Sequence, residues 1–63
     1  MQIWLRAKKR SLMSLLNVAN IRSGYSIEKL EKCEYIVTID DKKNTGEFLL
    51  LLRNTDLQYK ELK

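Results

Sequence analysis

Arg6, Lys8, Lys9 and Arg10 bring four cations into five residues. Side chains spaced in this way can straddle successive phosphates or meet an acidic protein face. Trp4 and Tyr25 would add stacking surfaces if they were exposed. Trp4 stands between Ile3 and Leu5, however, and that setting predicts a core residue. Most other chemistry fails at once. The chain has no histidine, so Ser–His and Cys–His pairs and imidazole ligands are excluded. Cys33 is the one cysteine; it builds neither a disulfide within the chain nor a zinc site of the usual kinds. It reads as a small half-buried apolar residue. Two isolated glycines, Gly24 and Gly46, make no phosphate-cradling loop.

Two short matches are coincidental. Ser26-Ile27-Glu28-Lys29 spells the S-x-x-K of penicillin-binding enzymes, but that chemistry needs further motifs and a large scaffold. Residues 41–46 resemble the start of a calcium loop, with Gly46 at the sixth position. Lys43 and Thr45 stand where oxygen ligands are needed, and no Glu occupies the twelfth position. No catalytic residue, metal site or cofactor is therefore expected.

The elements that must position the cations belong to a short chain. Sixty-three residues make one domain, residues 1–63, with a small core. Hydrophobic residues are 44% and charged residues 32%, which suits a folded domain rather than a disordered one. The net charge is +4, and its excess lies before Glu28, the first acid. No apolar run reaches the ~20 residues of a membrane span. Residues 11–19 are too polar for a signal peptide. With one unpaired cysteine, a cytoplasmic location is expected.

Residues 35–39 are dense in β-branched and aromatic side chains and predict a strand. Residues 48–52, Phe-Leu-Leu-Leu-Leu, form a short apolar run bounded by Gly46 and by Asn54-Thr55, which predicts its partner strand. Residues 40–46 would be the hairpin loop. With Ile39 opposite Phe48, alternation places Tyr35, Val37, Ile39, Phe48, Leu50 and Leu52 on the core face. Ile36, Thr38, Leu49 and Leu51 fall on a second, mostly apolar face that something must cover. Residues 3–6 and 12–16 predict a further hairpin with its basic tip between them; one long basic helix on a membrane surface is the alternative. Residues 26–31 are either a helical turn or a charged connection. Thr55 and Gln58 match a capping box for a short C-terminal helix. The expected fold is α+β, mostly β: an antiparallel sheet of three to five strands with a short C-terminal helix.

Trp4-Leu5-Arg6, then Arg10-Ser11-Leu12, then Leu16-Asn17-Val18 and Ile21 resemble the opening of small uncharacterised β-rich proteins from Gram-positive bacteria and their mobile elements. The resemblance covers about the first third of the chain. It implies a sheet that begins near the N-terminus and implies little about activity. The leucine run and the short C-terminal segment depart from that pattern.

These expectations converge on a non-enzymatic protein-binding module of the phage or mobile-element inhibitor kind, which blocks a host factor by steric occlusion. Ile36, Leu49 and Leu51 would form its apolar docking face, with Arg6, Lys8, Lys9 and Arg10 meeting an acidic or anionic partner. Pairing of exposed strand edges would make a homodimer possible, since no proline protects them. The alternative is a small basic nucleic-acid-binding protein using the same cluster.

Overall fold

Gln2-Ile3-Trp4-Leu5-Arg6 alternates apolar and polar neighbours, and the chain folds it as strand β1, Gln2–Arg6. Ile3 and Leu5 are fully buried, while Gln2 and Arg6 are exposed and Trp4 is half-buried. The same period of two runs through β3, Glu34–Ile39, where Tyr35, Val37 and Ile39 point inward. In this computed structural model, which describes residues 1–62, six elements follow in the order β1, α1 (Lys9–Val18), β2 (Tyr25–Lys29), β3, α2 (Lys42–Arg53) and β4 (Gln58–Leu62).

The four strands form one sheet in the order β2-β3-β1-β4, with every neighbouring pair antiparallel. This is the split β-α-β, or ferredoxin-like, arrangement. Both helices pack on one face. Leu12 and Leu16 of α1 and Phe48 and Leu52 of α2 join Ile3, Leu5, Val37 and Ile39 in a single core cluster.

Five expectations from the sequence are corrected here. Residues 26–31 are neither a helical turn nor a mere connection, since Tyr25–Lys29 pairs with β3 as strand β2. Residues 48–52 are not a strand but the last half of α2. The buried positions of α2, Thr45, Phe48 and Leu52, follow the helical spacing i, i+3, i+7, and Leu50, expected on the core face, is exposed. Residues 40–46 are not a hairpin loop: Asp41 caps the helix, accepting a 2.7 Å hydrogen bond from the Lys43 amide, so an orphan donor of the first turn is satisfied. Residues 12–16 are not a strand but the centre of α1, which buries Leu12 and Leu16 one turn apart; nor do residues 1–23 form one long helix. The C-terminal segment is β4, not a helix. Thr55 does not open a helix; its Oγ1 donates to the Leu52 carbonyl at 2.8 Å and accepts from the Leu57 amide at 3.3 Å, ending α2 and turning the chain into β4. Helix and strand content are therefore about equal, within the expected range of strand number.

Helix α1 ends in a Schellman motif. Asn20 lies at φ 61°. Its amide bonds to the Asn17 carbonyl, and the Ile21 amide reaches back to Leu16 at 2.9 Å. The buried pair Ile21 and Leu16 supplies the apolar contact that accompanies this cap.

Gly46 sits in the interior of α2, where glycine costs about 1 kcal/mol relative to alanine. A Cβ placed there meets nothing within 4 Å. Gly46→Ala is therefore expected to raise stability by about 1 kcal/mol in urea denaturation. Phe48→Ala should lower it by about 3–5 kcal/mol, which is a large share of the roughly 3–9 kcal/mol expected for a domain of this size.

Candidate functional site

The basic cluster takes its place from the turn between β1 and α1. Ala7 is buried, and its amide donates to the Cys33 carbonyl at 2.8 Å, pinning the end of β1 to the β2–β3 turn. Lys8 then occupies the N-cap of α1, with no side-chain cap hydrogen bond and no acidic residue in the first turn. Lys9 and Arg10 follow in that turn. All three are exposed. A helix N-terminus already carries partial positive charge, so three cations there are destabilising for the isolated fold.

The topology gathers further charge at this end. Lys29 ends β2, Lys32 lies in the β2–β3 turn and Arg53 closes α2. Exposed carboxylates here are Glu31 and Asp56. At the opposite end, Arg22, Lys42 and Lys43 are interspersed with Asp40, Asp41 and Glu47. The positive charge is thus polarised along the strand axis. Among the described residues, the one ion pair is Arg6–Glu34, at 3.0 Å. Arg10 lines a groove between the helices together with Asp56, but forms no ion pair with it.

Arg6 therefore does not belong with Lys8, Lys9 and Arg10. It stands on the open face of the sheet, where Glu34 holds two neighbours at once: one carboxylate oxygen accepts from the Trp4 indole N–H at 3.3 Å, and the other from Arg6 at 3.0 Å. The Arg6 guanidinium lies 5.8 Å from the centroid of the Trp4 ring, within cation–π range. Trp4 is consequently not a core residue but a fixed, half-buried ring at the centre of the face that the helices leave open. The signal was present in β1, because Trp4 shares its parity with polar Gln2 and Arg6.

The fold separates Ile36, Leu49 and Leu51. Ile36 pairs with Trp4 on the open face. Leu49 and Leu51 are on α2, on the other side of the sheet. Leu49 packs against the core and lines a recess with Met1 and Ile39. Leu51 lines the groove between the helices with Leu15, Val18 and Leu57. The expected shared apolar face does not exist, because it required residues 48–52 to be extended. Cys33 is free and half-buried, at φ 65° in the β2–β3 turn.

Among the described residues no helix is long and apolar enough to cross a membrane. The chain matches no family model, no curated protein and no solved structure in the comparisons made.

Removing both acceptor oxygens with Glu34→Ala should release both Trp4 and Arg6. The expected stability loss is below about 1 kcal/mol, as for other exposed pairs. The accompanying change should be seen in the emission of Trp4, the only tryptophan in the chain.

Proposed function

We propose that the protein is a non-enzymatic nucleic-acid-binding module. It holds the phosphate backbone at the end of the fold built from the β1–α1 turn. The observation that carries this reading is the run Lys8-Lys9-Arg10 at the start of α1, exposed and without an acidic partner among the described residues. That arrangement works against folding, since cations oppose the helix dipole and one another. A bound polyanion converts it into favourable contacts. Lys29, Lys32 and Arg53 at the same end widen the surface. No base-reading motif accompanies them, so binding is sequence-independent and salt-sensitive.

Blocking of a host factor drew its support from the Ile36–Leu49–Leu51 face. With that face absent, the polarised charge supports nucleic acid better than an occlusive inhibitor. A protein partner remains suited to the open sheet face, where Trp4 and Ile36 lie half-buried. The free Cys33 thiol supports a reducing, cytoplasmic setting.

Fluorescence anisotropy of a labelled oligonucleotide, titrated over a range of salt concentrations, tests the reading. The logarithm of affinity should fall linearly with the logarithm of salt. Replacing Lys8, Lys9 and Arg10 by Gln should flatten that slope by roughly 0.7–0.9 per lost phosphate contact. The same variant should be more stable to heat at low salt than the parent chain, because the opposed charges are gone. Unchanged binding by the triple variant, or no binding by the parent chain at low salt, would remove the proposal.

A further inference from the structure

The sheet has a second face that neither helix covers, and its charges are arranged in a pattern. Lateral pairing sets its side chains in rows. The middle row runs Glu28, Ile36, Trp4, Lys60 across β2, β3, β1 and β4. Beside it, Glu34 on β3 faces Arg6 on β1. Acids therefore occupy the β2–β3 half of the face and bases the β1–β4 half, with an aromatic and an aliphatic residue at the centre. Glu28 and Lys60 are three strands apart, roughly 14 Å at the usual strand spacing. That distance is too great for an ion pair within one chain.

We propose that two copies of the chain pair through this face, about a twofold axis lying between the two sheets and parallel to the strands. Such an axis lays β2 of one copy over β4 of the other. Glu28 then meets Lys60 of the second copy, Ile36 meets its Trp4, and Glu34 meets its Arg6. A twofold axis in the same plane but across the strands would set Glu28 on Glu28 and Lys60 on Lys60. The charge pattern selects the first arrangement and penalises the second. Strands of the two sheets remain close to parallel, as in aligned sheet packing.

Size and order agree with a reversible pair. The two longest dimensions of the molecule, 28 and 21 Å, bound the face at about 600 Å² per copy. The pair would bury at most on the order of 1,000 Å² in total, in the range of weak, transient interfaces. Trp4 is held by Glu34 and Arg6 before contact, so little side-chain freedom is lost on association. Tryptophan is also enriched among the central residues that carry most of the energy of an interface. Dissociation in the micromolar range is the expected strength. Because the axis runs parallel to the strands, the two basic ends come to lie side by side. The pairing does not depend on nucleic-acid binding and is measured without nucleic acid.

Sedimentation equilibrium over a micromolar-to-millimolar series tests it, with circular dichroism confirming that each variant is folded. The parent chain should dimerise. Glu28→Lys alone and Lys60→Glu alone should each weaken the pair by about tenfold, since symmetry counts every change twice. An equimolar mixture of those two variants should recover association as a heterodimer. Trp4→Ala should weaken the pair by about thirtyfold. A parent chain that stays monomeric throughout would overturn the proposal. So would a dimer that is indifferent to Trp4→Ala, or a mixture that associates no better than its two components.

Discussion

A sheet has two faces, and this chain has apolar material to cover one. Everything else in the structure follows from that constraint. Ile3, Leu5, Val37 and Ile39 on the inner face are fully buried beneath Leu12, Leu16, Phe48 and Leu52. The two helices are then spent, and the remaining connections are short. Trp4, Ile36 and their charged neighbours are left half-buried or exposed on a face that neither helix covers. The burial of β1 on one side and its exposure on the other explain why one strand contributes both to the core and to the surface of interest.

The alternating strands were legible in the sequence. β1 and β3 are central strands with one face buried, and in them alternation carries most of the information. Tyr35, Val37 and Ile39 are core residues, as their pattern requires. The leucine run was not legible in the same way. An apolar stretch of five fits a buried strand and a helix equally well by periodicity. The deciding features lay upstream, in residues that read as a turn. Asp41 is both a turn former and an N-cap, and Gly46 suggested a loop where the chain forms a helix interior. Tertiary packing of Phe48 and Leu52 overrides the local preference of that glycine. At the other end, Thr55 matched a capping box, but its hydroxyl closes one helix rather than opening another.

The functional residues divided in a similar manner. The basic cluster was visible as sequence, and three of its members stay together because a helix begins beneath them. Arg6 left the group because a strand turns every second side chain to the same face, and there it meets Glu34, which is distant in the chain. Trp4 was hidden by its apolar neighbours. The acid–base division of the open face could not be read at all without strand order, because Glu28 and Lys60 belong to opposite edges of the sheet. Two kinds of surface thus coexist on one small body: an end that is rich in cations with no ion pair among the described residues, and a face whose charges balance.

The claim on which both surfaces rest is that the helices cover one side of the sheet and leave Trp4 on the other. Nuclear Overhauser contacts from the Trp4 indole in dilute protein measure this directly. The account gives contacts to Ile36, Arg6 and Lys60, with none to α1 or α2, while Phe48 contacts the inward-facing residues of β1 and β3. Contacts between the Trp4 ring and either helix, or strand-like contacts across the leucine run, would contradict it.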